Sequence, residues 1–160
     1  VILFVAHQSN RVRVVRWELD AHSHLPVETE PPAELAGGDI VVLTPYGSLF
    51  FASAGVVVAQ LPAPTDASAG GVVVLRLRGK EDLGSTFIRA MLRYHDSLAA
   101  SGAHLVLTGV SARVLDQLRN TGALGHLGPD QVFAAAPRLG ESLQAGLRRA
   151  RELQGEEPPR

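Results

Sequence analysis

The 160-residue chain has no cysteine, one methionine, one tryptophan and no basic excess, with 15 Lys and Arg against 16 Asp and Glu. Each shortage closes a class of function. Without cysteine there is no disulfide framework, no thiolate nucleophile and no Cys-based metal site. With a formal net charge of −1 the chain lacks the electrostatic footprint of a nucleic-acid reader, and its arginines read as a solvated surface. Long apolar runs are missing too. "VILFVA" at 1–6 falls far short of the ~20 residues a membrane helix needs. It reads either as a first strand or as the end of a membrane helix that begins upstream. The chain opens on Val1 and its single methionine is Met91, as expected of a fragment or a processed piece of a longer polypeptide.

Chemistry-bearing motifs are absent in the same way. No G-x-S-x-G elbow occurs. Gly79-Lys80 is followed by Glu81, which breaks the G-x-x-x-x-G-K-[ST] pattern of a phosphate loop. Of His7, His22, His24, His95, His104 and His126, only His22 and His24 are near each other, and no pair has helical i, i+4 spacing. A metal site needs several convergent ligands, so none is assigned. His95 reads as a boundary residue on a helix. Glu81 and Asp82 resemble an acid–base pair, but acidic residues at a helix entrance are favoured by the helix dipole alone. Nothing in the sequence points to an enzyme.

What is present is an ordinary globular domain: 46% hydrophobic and 19% charged residues, enough to bury a core in one domain. "RVRVVRWEL" (11–19) interleaves Val with Arg and predicts an edge or half-exposed strand. The polar, Pro-rich 20–39 stretch reads as a connector ending in Gly37-Gly38. "IVVLTPYG" (40–47) predicts a short buried strand that Pro45 interrupts or ends. Helical spacing of Phe50, Ala54, Val57, Val58 and Leu61 predicts a helix within 48–61, capped by Ser48 or Ser53. "VVVLRL" (72–77) predicts a central strand buried on both faces, and "HLVLTG" (104–109) a second.

Between these two strands, Phe87, Ile88, Met91, Leu92, Leu98 and Ala99 mark one stripe of a helix over 85–100, stopped by Ser101-Gly102. A Ser111-capped helix to Gly122 buries Val114, Leu115 and Leu118. "VFAAA" (132–136) predicts a last short strand, and Leu139, Leu143, Leu147 and Ala150 a last helix. The alternation implies an α/β fold: a small mixed, largely parallel sheet with helices packed mainly on one face. The chain divides into a lead-in strand and connector (1–36), a folded domain (37–153) and a frayed tail (154–160).

The link "GKEDLGST" (79–86) carries the functional interest. If Gly84, Ser85 and Thr86 open the helix, its unpaired N–H groups and positive dipole end favour an anion, or a phosphoryl group on Ser85 or Thr86. A Ser or Thr N-cap is the purely structural alternative. Arg78 and Lys80 would assist an anion, and Glu81 and Asp82 would oppose it. Binding of a phosphate-bearing ligand would therefore be weak.

"GSLFFASA" (47–54) resembles the G-x-L-F-F-x-x-A run of SulP-type STAS domains. Residues 72–124 and "LGPDQVFAAAPRLGESL" (127–143) resemble the rest of that domain, including its strand, short helix and T/S-G-L end. The resemblance spans 40–150 and implies the fold shared by anti-sigma-factor antagonists and the cytoplasmic C-terminal domains of SulP-type anion transporters. It places Ser85 at the phosphoacceptor position of the Asp-Ser-Ser/Thr-Gly motif and Thr86 next to it, with Gly84 in place of the motif's Asp and Phe87 in place of its Gly. That departure argues against a dedicated phosphoswitch. Two functions follow from the resemblance. One is a non-catalytic regulatory domain on the cytoplasmic side of a SulP-like sulfate or other anion transporter, partnered by the transmembrane domain of the same polypeptide and by nucleotide or a regulatory protein. The other is a soluble anti-sigma-factor antagonist controlled by Ser/Thr phosphorylation. No cofactor or metal is implied.

Overall fold

The computed structural model describes residues 12–20, 22–23, 25–50 and 54–155. Six strands form one sheet: β1 (Arg13–Leu19), β2 (Pro26–Thr29), β3 (Ile40–Tyr46), β4 (Val72–Arg76), β5 (His104–Val110) and β6 (Val132–Ala134). Their spatial order is β2-β1-β3-β4-β5-β6. The pairs β3–β4, β4–β5 and β5–β6 are parallel, and β1 pairs antiparallel with both β2 and β3. Helices α1 (Ala54–Val58), α2 (Ser85–Ala100), α3 (Ala112–Asn120), α4 (Ala123–Leu127) and α5 (Glu141–Gln154) complete the domain. The expected class is observed, with the predicted strands near 40, 72 and 104 adjacent at the centre of the sheet.

The two-residue periodicity of the strands divides the core. Val41, Leu43, Val73, Leu75, Leu105 and Leu107 enter a large core with Phe87, Met91, Leu98, Val114, Leu118 and Leu127 from α2, α3 and α4. The alternate residues Val72, Val74 and Val106 face Ala150 and Leu153 of α5 on the other side. Among the described residues, the first four helices thus share one face and α5 alone covers the other. This is why β4 reads as a continuous apolar run: neither of its faces meets water. Beyond α5 the same face carries Trp17, with the Arg76 guanidinium 4.3 Å from its ring centroid. The Tyr46 hydroxyl nearby donates to Glu28.

Several local expectations change. Residues 26–29, within the stretch read as a connector, form the edge strand β2, so β1 lies inside the sheet rather than at its edge. β3 runs through Pro45, which sits opposite Val14 of β1. Pairing with β4 ends at Leu43, so the proline removes no ladder bond on that side. Helix α1 begins at Ala54, so Ser48 is not its cap, and Ser53 lies outside the described residues. Phe50, placed by its spacing on that helix's buried stripe, is exposed. Ala99 is exposed, and Tyr94 and Ala90 complete the buried stripe of α2 instead. Leu115 is only partly buried, against the core that holds Leu118. Leu139 precedes α5 and is exposed. At the end of α2, Gly102 (φ +69°) donates to Ala99 and Ala103 donates to Leu98, closing the helix as "SG" predicts. The Ser111 cap is also observed, its hydroxyl accepting from the Val114 N–H at 3.2 Å.

Two substitutions test this packing. Leu118 is fully buried in the large core, so Leu118→Ala is expected to cost roughly 2–5 kcal/mol in urea unfolding, the range for truncating a core leucine. At Gly146 of α5 an added Cβ would lie 2.3 Å from Cγ2 of Thr108, a branched side chain fixed in a buried strand. The ~1 kcal/mol of helix propensity gained in Gly146→Ala is then outweighed by ~1–3 kcal/mol of overpacking, and the variant unfolds at lower denaturant than the parent.

Candidate anion-binding site

The link between β4 and α2 is held from below by Leu83, which is buried, and from the side by α3. The Leu83 N–H donates to Oε1 of Gln117 at 3.0 Å. The Gln117 amide nitrogen donates to Asp82, which also accepts from Arg113 at 2.8 Å. One carboxylate and one amide thus fix the last turn of the link. Gln117 carries no sequence signal for this role. It lies 34 residues from Leu83 and reads as one more polar residue on a surface helix.

Gly84, with φ −67° and ψ 144°, is the N-cap of α2, and no side chain caps the helix. The Ser or Thr cap weighed from the sequence is therefore not what forms: Ser85 is the first helical residue. A physical reason fixes glycine here. A Cβ on residue 84 would lie 2.6 Å from the Phe50 carbonyl oxygen, and the Gly84 N–H points at the Leu49 carbonyl, 3.4 Å away. The chain at 49–50 therefore packs directly on the helix start. The α-helical ladder begins with the Ile88 N–H donating to Gly84 at 3.0 Å, which leaves the N–H groups of Ser85, Thr86 and Phe87 without intrahelical acceptors. No acidic residue occupies the first turn.

Ser85 and Thr86 are exposed. With Gly84 they line an open cavity of 490 Å³ whose other walls include Phe50, Gln117 and Asn120. The structure thus brings Gly84, Ser85 and Thr86 together but does not bring Arg78 or Lys80 to the same wall. Arg78 reaches the other way and donates to the Ala136 carbonyl at 3.0 Å. The Lys80 ammonium donates to the Gly47 carbonyl at 2.5 Å, and partial burial lowers its pKa. Asp82 faces Arg113 and Gln117, so its charge is engaged on α3 rather than presented to the cavity. Glu81 is exposed.

A strand, a glycine-capped link and a long helix whose bare N-terminus opens onto a cavity make up the feature that the resemblance singled out. A family model described as the STAS domain matches residues 32–136. The chain belongs to the STAS domain family. Among solved structures, this STAS domain is similar to a sulfate transporter family protein from Wolinella succinogenes, at 25% identity and a TM-score of 0.54, covering 85% of this chain and 97% of that one. It also has the fold of a region of the murine solute carrier 26 family member A9 anion transporter in its inward-facing state, at 16% identity and a TM-score of 0.66, covering 94% of this chain. A further structure, described as the overall structure of SLC26A9, matches at 16% identity and a TM-score of 0.66 over 95% of this chain. The STAS domain spans 24% and 26% of those two carrier chains. Curated protein sequences give no match.

The close approach at the cap generates a prediction. The φ and ψ of Gly84 suit any residue, so Gly84→Ala tests sterics alone. Because its neighbour is backbone rather than a yielding side chain, the variant is expected to lose roughly 1–3 kcal/mol in chemical denaturation. The amide signals of residues 47–50 are expected to move with those of 84–88.

Proposed function

We propose that this STAS domain is the non-catalytic regulatory and interaction domain of a SulP-like sulfate or other anion transporter, acting on the cytoplasmic side of the membrane. The observation that carries this reading is the likeness to the Wolinella succinogenes sulfate transporter family protein, which extends over 97% of that chain. The fold shared with a region of the murine anion transporter supports it. Among the described residues no helix is long and apolar enough to cross a membrane, so in this reading a transmembrane domain of the same parent polypeptide supplies the pore. The coding sequence upstream of Val1 tests this directly. About 400 or more residues with repeated apolar spans of ~20 are expected there. A start codon a short distance upstream favours the alternative, a soluble anti-sigma-factor antagonist controlled through Ser85.

The regulatory input proposed is a phosphate-bearing ligand, GTP or ATP, docking weakly at Gly84, Ser85 and Thr86. The three N–H groups without helical acceptors support it, as does the absence of any carboxylate in the first turn. Dipole attraction of about 0.3–1 kcal/mol per exposed charge sustains only micromolar affinity at best. Arg78 and Lys80, turned to other carbonyls, add to this only by changing partners. Titration with GTP or ATP is expected to shift the backbone amides of 79–88 and of Gln117. No shift there at millimolar nucleotide rejects the ligand while leaving the transporter assignment standing.

A further inference from the structure

We propose that His95, Asp96 and His126 form a binding site for a divalent transition-metal ion of the zinc class, bridging α2 and α4. His95 lies half-buried on the flank of α2 that α4 packs against, while Asp96 and His126 are exposed, and none of the three lines the site at the N-terminus of α2. His126 Nε2 is 2.6 Å from Oδ1 of Asp96, and His95 Nδ1 is 3.2 Å from the same oxygen. All three donor atoms fall within 4.8 Å of one another. The two imidazoles meet edge to face, at 78° with centroids 5.6 Å apart, so their nitrogens converge on one region instead of stacking past it. The carboxylate lies between them, and both imidazoles hold its pKa down, His126 more than His95.

The donor set selects the ion. Calcium and magnesium require shells built almost wholly of oxygen, whereas two imidazoles and one carboxylate suit zinc and its neighbours in the first transition row. In a tetrahedral zinc site the bonds are ~2.0–2.1 Å, which places ligand atoms roughly 3.3 Å apart. The His95–Asp96 separation already fits that edge. The His126–Asp96 separation must open by roughly 0.7 Å, which the largely exposed His126 side chain can supply by rotating. Binding requires each neutral ring to present a bare nitrogen to the ion, so the single ring proton that points at Asp96 without the ion moves, by exchange with solvent, to the other nitrogen. Water completes the fourth position. The ion would fasten the short helix α4, and through it the turn leading into β6, to the long helix α2.

The sequence hides this cluster. His95 and Asp96 are adjacent, His126 is 30 residues away, and no metal-binding spacing joins them. The competing pair in the sequence is His22 with His24.

The test is calorimetric titration of the 160-residue chain with ZnCl2, together with imidazole nitrogen and proton shifts of the histidines in the unsubstituted protein. One ion per chain is expected, with micromolar affinity, no competition from magnesium, and shifts centred on His95 and His126. His126→Ala and His95→Ala should each weaken binding by at least about tenfold, while His22→Gln leaves it unchanged. The imidazole shifts are read in the unsubstituted chain, so they decide the question even if a variant folds poorly. Three results would overturn the proposal: no binding at roughly 100 µM zinc, far above a three-ligand site's expected range; binding that survives in the His95→Ala/His126→Ala double variant; or shifts confined to other histidines.

Discussion

Gly146 of α5 meets the Thr108 methyl of β5 with no room for another carbon atom, and this contact sets how closely the lone helix lies on its side of the sheet. The fold depends on that closeness. Four helices already cover the opposite face, so α5 is what separates Val72, Val74 and Val106 from water. A sheet covered by helices on one side only would leave those valines as an exposed apolar strip, and β4 and β5 are too apolar to serve as half-solvated strands. Three hydrogen bonds help keep α5 in place. The Ser142 hydroxyl accepts from Gly109 at 2.8 Å and donates to Phe133 at 3.1 Å, joining the start of the helix to β5 and β6. At its other end Gln154 donates to the Gly38 carbonyl.

The same economy governs the carboxyl edge of the sheet. Three segments converge on the first turn of α2: the 49–50 chain through close backbone contact and the buried Leu49, the 77–84 link that leads into it, and α3 through Gln117. None caps the helix with a side chain. The N–H groups of the first turn are therefore left to solvent or ligand, while the backbone that presents them is fixed on three sides. A rigid frame around unsatisfied donors is the arrangement that anion sites at helix starts require.

The parts of this architecture governed by local pattern were legible in the sequence. The runs at 72–77 and 104–109 are strands because alternate residues enter two different cores, and that demand leaves a continuous apolar signature. The stripe of α2, the Ser111 cap and the Ser101-Gly102 stop are equally local. What sequence reading missed depended on partners far along the chain. Residues 26–29 carry no apolar run, and they become a strand only because β1 offers a free edge. Pro45 reads as a strand breaker, but pairing with β4 has already ended where it sits. Gly84 reads as one of three residues opening the helix, and only the position of Phe50 shows that nothing larger fits. The resemblance identified Ser85 by position, yet it could not show that Arg78 and Lys80 turn to other carbonyls.

Among the described residues the sheet ends in two short strands, four residues in β2 and three in β6. β2 begins with a proline and carries Glu28, and charges and prolines on so short an edge discourage a further strand from joining. A partner polypeptide therefore finds little main-chain template at either margin. Recognition by strand addition, in which backbone pairing supplies affinity almost regardless of sequence, is disfavoured. Partners must instead read side chains on helix faces and on the loops at the sheet's carboxyl edge. Selectivity for a partner then resides in a small number of replaceable residues, and it can change through substitution without disturbing the fold.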